Sequence, residues 1–469
     1  MPSTFFGLNT ALSGLVAQQR ALDTTNHNIA NVNTEGYTRQ RVNLKTNNPF
    51  ANPALNTAVG PGQLGTGVQI SDYTRLRDQF VDVQFRSQTA TQGQFQARSD
   101  ALQRLNDVVD EPGDTGLTSL LGKFWSSWQS LSLNPESPSV REAVRAAGAQ
   151  LALGFNDTRA QLVASQTEAN TRITATTDEV NLLAGQVNDL NKAIAKVTAV
   201  GQTPNDLMDQ RDLLIDRIAK SANAAVTPVG TTGKITLAIG GQVLVNGATD
   251  TVNNVAVSGA GVVTVGAAVA TVTDGALRGY IDVRDTVIGG ATGYLANLDT
   301  LAASVITEVN ARHSTGFALD GSTGNNFFQG TGAANIAIDA AVAGSTDKIA
   351  AANAAGELPG GGDNAVDLAQ LKMVVLPIGT ATSTIDGFWG SMVSRLGTDT
   401  DQAQRLAQVQ QNVLDVAASR RDAASGVSMD EEVADMVRFQ QSYNAAARMI
   451  TTLDGVLDTI VNRMGLVGR

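Results

Sequence analysis

The 469-residue sequence contains no cysteine, which excludes disulfide bonds, thiolate metal ligands and cysteine nucleophiles together. It contains only two histidines, His27 and His313, and neither is next to a cluster of carboxylates. A zinc site needs three or four ligands at suitable spacing, and the sequence does not supply them. We therefore expect no metal and no cofactor, and we expect both histidines to be structural residues.

Positive charge is also scarce. Lysine and arginine number 33 against 44 aspartates and glutamates, which gives a net charge of −11. Because nucleic acids and anionic membrane surfaces attract positive charge, neither is expected as a partner. No stretch approaches the roughly 20 apolar residues of a spanning helix, so we expect no membrane insertion. The first residues also lack the basic and apolar regions of a cleaved signal peptide.

The sequence does contain 46 glycines and 42% hydrophobic residues. Its length of 469 residues gives room for two to four domains. The composition changes near residue 222 to Gly/Val/Thr-rich segments with little charge, and a hairpin is predicted over 234–245 around Gly240-Gly241. Helical periodicity dominates most of the remainder, and 317–375 is mixed, with glycine turns and short strands. The pattern predicts an α+β protein, predominantly α, with nested domains: 1–40 plus 428–469 as a terminal coiled coil, 41–221 plus 285–427 as a helical bundle with short strands, and 222–284 as an inserted β domain.

Both ends of the sequence carry apolar residues at alternating steps of three and four, the spacing of a coiled coil. The C-terminal ladder is Met436, Phe439, Tyr443, Ala446, Ile450, Leu453, Leu457, Ile460 and Met464. The N-terminal ladder is Phe5, Leu8, Leu12, Leu15, Gln19, Leu22, Asn26 and Ile29. The ladders predict helices that pack on each other and on neighbouring copies, although a bundle within one chain explains the spacing equally well. Because an isolated pair of such helices is marginally stable, we predict that both ends are mobile in the free monomer and order on assembly.

Local sequence patterns predict several further strands and helices. Short strands are predicted over 37–42 and 67–70, and a helix over 118–131 should bury Trp125 and Trp128 in a core. A helix is predicted near 367–374. Ser428 followed by Glu431 has the spacing of a capping box at the start of the last helix.

Three motifs have the spacing of known chemical sites but lack their context. Gly60–Gly65 has the dinucleotide glycine pattern without a buried strand before it or a helix after it. Ser345–Lys348 has the serine–lysine hydrolase spacing without its partner motifs. Asp399 and Asp401 begin like a calcium loop but lack its later glycine and glutamate, and Asp320-Gly321 is typical of a turn. We predict that the protein is not an enzyme.

Two terminal motifs resemble a known group of proteins. Residues 26–37, Asn-His-Asn-Ile-Ala-Asn-Val-Asn-Thr-Glu-Gly-Tyr, and residues 427–446 resemble the signatures of flagellar rod, hook and hook-associated proteins. The middle is similar to the hook-associated protein 1 family, the hook–filament junction proteins, at 124–141, 205–212, 310–328 and 362–364. In 222–284 we find no shared motif.

The resemblance implies a structural adaptor of the bacterial flagellum that joins hook to filament as a ring and templates the next hook-associated protein. It implies self-assembly, contacts with the hook protein and the third hook-associated protein, and an export chaperone on the C-terminal helix. It also implies an extracellular location in the flagellum, reached through the flagellar export apparatus without a cleaved signal peptide. The alternatives are another flagellar axial protein, such as the hook protein, or a secreted coiled-coil adhesin with a ligand-binding β insertion.

The assembly interface predicted from the ladders and this resemblance combines residues from both ends. Its members are Phe5, Leu8, Leu12, Leu15, Leu22, Ile29, Asn31, Met436, Phe439, Tyr443, Ile450, Leu453, Leu457, Ile460 and Met464.

Overall fold

The computed structural model describes residues 5–49, 64–109, 113 and 116–463, and helices dominate it, which confirms the predicted fold class. The α-helices are α1 Phe6–Ala30, α2 Gln79–Val109, α3 Leu117–Leu133, α4 Pro138–Ala199, α5 Asn205–Ser221, α6 Ala276–Asp282, α7 Tyr294–His313, α8 Ala340–Gly344, α9 Asp363–Gln370, α10 Ile385–Ser425 and α11 Met429–Asp458. The strands are β1 Gln40–Thr46, β2 Val68–Arg75, β3 Ala224–Pro228, β4 Ile235–Ile239, β5 Gln242–Asn246, β6 Thr251–Val252, β7 Val255–Val257, β8 Val263–Val265, β9 Ala268–Val269, β10 Phe317–Ala318, β11 Phe328–Gln329, β12 Ala337–Ile338, β13 Ala350–Ala352, β14 Leu376–Ile378 and β15 Ala381–Ser383.

The two ends of the chain lie together. Helix α1 packs along α11, and the antiparallel hairpin β1–β2 covers a second side of α1. The strands of this hairpin run from Gln40 opposite Arg75 to Thr46 opposite Val68, so both are longer than the predicted strands. Residues 60–63 of the glycine-rich motif fall outside the described residues.

Helices α2 and α10 form an antiparallel pair beside the ends. The Thr400 hydroxyl lies 3.5 Å from the Leu102 carbonyl oxygen, and the Arg421 guanidinium stacks 3.6 Å from the Phe85 ring centroid. Alanines of α10 make the close contact with α2. Its more exposed positions hold Leu406, Val409, Val413 and Val416.

The main core lies between α3, α4, α7 and the short elements that follow α7. Trp125 and Trp128 are buried there, as predicted, and Trp128 packs against the Phe327 ring at 5.2 Å between centroids. Three two-stranded antiparallel sheets, β10–β13, β11–β12 and β14–β15, close this region. Helix α9 starts four residues before the helix predicted near 367–374.

Residues 224–269 form two small sheets, one of order β3-β4-β5-β6 and one of order β7-β8-β9. The predicted hairpin at Gly240-Gly241 is confirmed, and both glycines have positive φ, which a tight turn between β4 and β5 requires. The far half of α4 buries its heptad face against α5 and these sheets. Helix α6 follows the strands and packs on α2, within the range that the sequence assigned to the insertion.

Candidate assembly interface at the paired ends

The contact face of α1 is made of small and polar residues. Its buried positions are Ala17, Ala21, Thr24, Thr25 and Asn28. Gly7 extends this face, because a Cβ added there would lie 3.6 Å from a methyl group of Leu453 on α11. Small side chains let two helix axes approach closely, so α1 is held mainly by this small-residue face.

The predicted N-terminal ladder is centred on a different side of α1. From Leu15 to Asn26 each ladder position precedes a buried position by two residues, as Leu22 precedes Thr24, and two residues turn a helix by about 200°. Phe5 is 54% and Leu12 is 49% exposed. The other members are half-buried: Leu8, Leu15, Leu22, Ile29 and Asn31. The structure therefore leaves this ladder only partly covered, with Leu12 half exposed and the other leucines half-buried.

The C-terminal ladder faces α1. All of its members from Met436 to Leu457 are half-buried: Met436, Phe439, Tyr443, Ala446, Ile450, Leu453 and Leu457. Ile460 is 38% exposed, and Met464 lies outside the described residues. The structure thus brings the C-terminal ladder onto the small-residue face of α1 rather than onto the leucine ladder.

A polar cluster locks the hairpin to both terminal helices. The Asn28 amide nitrogen donates to the Gln40 carbonyl at 2.9 Å and to the Glu432 carboxylate at 3.0 Å. The Asn28 side-chain oxygen accepts from the Tyr37 hydroxyl at 2.8 Å. Arg39 Nε donates to the second Glu432 oxygen at 2.6 Å. We call Asn28, Tyr37, Arg39, Gln40 and Glu432 the terminal latch.

The charged groups of the terminal latch stabilise each other in a partly buried site. Burial disfavours the charged Arg39 guanidinium, but its contacts with Glu431 and Glu432 outweigh this and raise the Arg39 pKa. Burial, together with the charges of Asp206, Asp209 and Glu432, raises the pKa of Tyr37. The predicted capping box is wrong, because Glu431 reaches across to Arg39 instead of back to the Ser428 amide.

A second cluster ties the hairpin to α5. Arg75 donates to Asp209 at 2.7 Å and to Asp212 at 2.9 Å, and Arg77 donates to Asp212 at 2.7 Å. Asp209 also accepts from the Thr38 backbone amide at 3.0 Å. Burial raises the pKa of Asp209 despite Arg75. For Asp212 the charges of Arg77 and Arg75 outweigh burial and lower the pKa. The motif at 205–212 therefore anchors the ends to the middle of the molecule.

The motifs at 310–328 and 362–364 meet in the main core. The Ala350 amide donates to His313 Nε2 at 3.0 Å, so Nδ1 carries the hydrogen that bonds the Asn325 carbonyl at 2.8 Å. Burial lowers the pKa of His313 to about 4 and keeps the ring neutral. The Asn364 amide donates to the Ala350 carbonyl at 2.8 Å. His313 is thus a satisfied structural histidine, as predicted.

The remaining candidate motifs also have structural roles. The Ser345 hydroxyl caps a short helical turn through the Asp347 amide, and Lys348 pairs with Asp320 at 2.6 Å. Asp399 and Asp401 lie inside α10 and pair with arginines four residues away on the same helix, so they do not form a loop. Within the described residues no helix is long and apolar enough to cross a membrane, and no group of three acidic or histidine side chains could hold a metal ion.

Sequence reasoning missed the arginines of both clusters. Arg39 and Glu432 lie 393 residues apart in the sequence, and a single arginine next to a short strand has no local signature. The acidic residues at the start of α11 are the signal available in the sequence, but acidic residues are favoured at any helix N-terminus and so do not by themselves indicate an arginine partner. Three charges within one helical turn, Glu431, Glu432 and Asp435, converge on Arg39.

Family models match both ends and the middle. Residues 102–328 match the flagellar hook-associated protein FlgK helical domain, residues 418–464 the C-terminal region of the flagellar basal body rod FlgEFG proteins, and residues 8–38 the flagella basal body rod protein. The terminal matches cover most of α1, all of α11, and the latch residues Asn28, Tyr37 and Glu432. Together the fold and these matches define a structural component of the bacterial flagellum.

Full-length relatives give the family. The chain is 36% identical to flagellar hook-associated protein 1 of Bacillus subtilis strain 168 over 100% of both chains. It is 26% identical to the Escherichia coli K12 protein of the same name, over 97% of this chain and 99% of the other. A solved structure of the flagellar hook junction protein FlgK from Burkholderia pseudomallei shares the fold, with a TM-score of 0.64 at 15% identity over 74% of this chain and 100% of that chain. The chain belongs to the flagellar hook-associated protein 1 family.

Proposed function

We propose that the protein joins the hook to the filament of the bacterial flagellum as a ring of copies. The ring sits on the hook protein and presents the surface on which the third hook-associated protein assembles. Its role is mechanical rather than enzymatic. One observation carries the proposal: α1 packs on α11 through its small-residue face, which leaves the leucine ladder half-exposed.

The two ladders then have different tasks. The C-terminal ladder holds the chain's own α1, whereas the exposed part of the N-terminal ladder packs on a neighbouring copy. Burying one leucine contributes about 1.5–3 kcal/mol, so Leu12 and its half-buried neighbours supply a strong contact when repeated around a ring. The knobs of such a ladder fit holes on another helix, which favours an inner tube of coiled coils.

Before assembly this surface needs protection. Helix α11 also exposes Val437, Met449 and Val456 beside its ladder. Large exposed apolar patches lead to association with other proteins or to aggregation. We propose that an export chaperone covers α11 in the cell, that the flagellar apparatus exports the chain without cleaving a signal peptide, and that the ends order fully on assembly.

The decisive variant is Leu12→Glu, with Leu182→Glu as its control. Both leucines are exposed on long helices, at 49% and 64%, and glutamate keeps helix propensity nearly constant. We expect Leu12→Glu to abolish filament attachment and swimming while circular dichroism of the monomer is unchanged, and Leu182→Glu to swim normally. Normal filaments on cells with Leu12→Glu would contradict the assignment of the ladder to a neighbouring copy.

Deletion of residues 435–469 tests the function more broadly. It removes the C-terminal ladder, so α1 loses its partner and the proposed ring cannot form. Cells should still build hooks, visible by electron microscopy, but release filament subunits into the medium. If filaments remained attached to such hooks, the junction role would be wrong.

A further inference from the structure

Each terminal helix carries a row of exposed residues outside the contact that pairs the two helices. We call these rows the outer stripes. On α1 the outer stripe is Asn9, Leu12, Val16, Gln19 and Asp23, and on α11 it is Arg438, Ser442, Ala445, Met449 and Thr452. All of these residues are exposed except Ser442, which is half-buried. Within both stripes the steps alternate between three and four residues, so each stripe can pack on another helix as in a coiled coil.

The pairing of the ends fixes the levels at which α1 and α11 lie beside each other. A Cβ added at Gly7 would lie 3.6 Å from Leu453, and Asn28 donates to Glu432 at 3.0 Å. The residue numbers add up to 460 in both pairs, so the two helices are antiparallel and keep one register over this length. In a flat ring each copy is rotated about the ring axis but keeps its height. Helix α1 of one copy then meets α11 of the next copy at the same levels.

At these levels the two outer stripes are complementary. Pairing residues whose numbers add up to 461 shifts one helix by a single residue, about 1.5 Å, relative to the pairing within the chain. The resulting pairs are Asn9 with Thr452, Leu12 with Met449, Val16 with Ala445, Gln19 with Ser442 and Asp23 with Arg438. Apolar side chains face apolar ones, polar side chains face polar ones, and an acid faces a base. A register shifted by one heptad loses this match, because it places Val16 opposite Arg438 in one direction. In the other direction it places Asp23 opposite Ala445.

The charged pair at the end of the stripes suits the same register. Asp23 is 54% exposed and lies 3.5 Å from Arg20, its neighbour on α1. Arg438 is 65% exposed, lies 2.8 Å from Asp435 and stacks 4.9 Å from the Phe439 ring centroid, both on α11. Exposed ion pairs within one helix contribute little to stability, so both side chains can turn to a new partner.

We propose that the outer stripe of α1 packs, in this register, on the outer stripe of α11 in a second copy of the chain. The inference rests on the proposed junction function and names the surface that receives α1. Leu12 and Val16 are 49% and 45% exposed, and Met449 is 58% exposed, so all three gain from the contact. The contact is head-to-tail, and such contacts close into rings. A second copy is the occupant because one repeated contact then covers both stripes of every copy.

Cysteine cross-linking in isolated flagella tests the contact, because the chain has no cysteine of its own. A disulfide forms when two Cβ atoms lie about 3.5–4.5 Å apart. We expect Val16→Cys combined with Ala445→Cys to give multimers on a denaturing gel after oxidation and monomers after reduction. The matched control is Val16→Cys with Thr452→Cys, which moves the second cysteine about 10 Å along the same stripe and should give monomers. Monomers from both combinations, or multimers from both alike, would overturn the contact.

Exchange of the charged pair tests the register independently. Asp23→Arg or Arg438→Asp alone should reduce the number of attached filaments at least three-fold, because like charges then face each other in every contact. The two substitutions together restore an opposite pair, so the filament number should recover. Circular dichroism of the monomers checks that each single variant folds. A double variant with as few filaments as the single ones would overturn the register.

Antibody labelling of isolated flagella separates this inference from the proposed function. Label at the hook–filament junction, without the specific cross-link, would overturn the contact alone. A lack of label at the junction would overturn the proposed function and the contact with it.

Discussion

The middle of the molecule and its paired ends bury very different side chains. Between α3, α4 and α7 the residues excluded from solvent are large, such as Phe124, Trp128 and Phe327. Along α1 they are alanine, threonine and asparagine, and on α11 the fully buried residue is Glu432. The middle therefore buries its large side chains within one chain, whereas the contact between the ends relies on small and polar ones. In the proposed ring, the apolar residues left exposed at the ends pack on neighbouring copies.

Helix α10 repeats the arrangement of α1. Alanines at 403, 407 and 417 are buried against α2, while Leu406, Val409, Val413 and Val416 are the exposed positions. In both helices the large apolar residues have coiled-coil spacing but point away from the close contact. Spacing identifies such helices, and the small residues indicate which side faces the rest of the chain.

The largest expected effect is in the middle. Trp128→Ala should lower the free energy of unfolding by about 3–5 kcal/mol, because the Trp128 ring is fully buried among other aromatic rings. Leu453→Ala on the half-buried C-terminal ladder should cost clearly less in the monomer. Urea denaturation of both variants measures the difference. Equal losses would mean that the ends are packed as completely as the core.

The core should also be sensitive to acid through His313. Its pKa is about 4 in the folded chain against about 6.5 in an unfolded one. As the pH falls from 6.5 to 4, the unfolded chain takes up a proton that the folded chain excludes, so stability decreases. The loss reaches about 3 kcal/mol below pH 4 and is absent above pH 6.5.

The matched variant for this prediction is His313→Gln, which keeps a polar side chain at the same place but does not titrate. When the pH is lowered from 7 to 5, the denaturation midpoint should fall less in the variant than in the natural chain. The same pH dependence in both chains would show that other groups cause it.

A smaller effect is expected at the terminal latch. Glu432→Gln removes the charge that Arg39 and Asn28 share, in a site where the carboxylate is 2% exposed. Loss of a charged hydrogen bond of this kind costs about 1–3 kcal/mol. Hydrogen exchange should rise in α1 and α11 and stay constant in α3, α4 and α7. An increase spread over the whole chain would show that the ends and the middle unfold as one unit.

The helical class, the insertion hairpin and the tryptophan core could be predicted from the sequence, because each depends on local periodicity or turn residues. The structural role of His313 could be predicted because the sequence supplies no set of metal ligands around it. The latch and the Arg75–Asp209 cluster were not predictable in this way. Their partners come from segments far apart in the chain, and arginine has no distinctive pattern in a short strand. The orientation of α1 was not predicted for a related reason. A pattern of large apolar residues does not detect a contact made by alanine and threonine.

The smallest expected effect tests whether α1 is limited by its own helix propensity. Gly14 lies inside α1, and a Cβ added there would meet no atom within 4 Å among the described residues. Gly14→Ala should therefore stabilise the helix by about 0.5–1 kcal/mol, because alanine loses less backbone entropy than glycine. Hydrogen exchange of α1 in the monomer should slow about three-fold, while that of α7 stays the same. Faster exchange would mean that the close approach needs Gly14 itself, and that even a methyl group on this face disturbs the pairing of the ends.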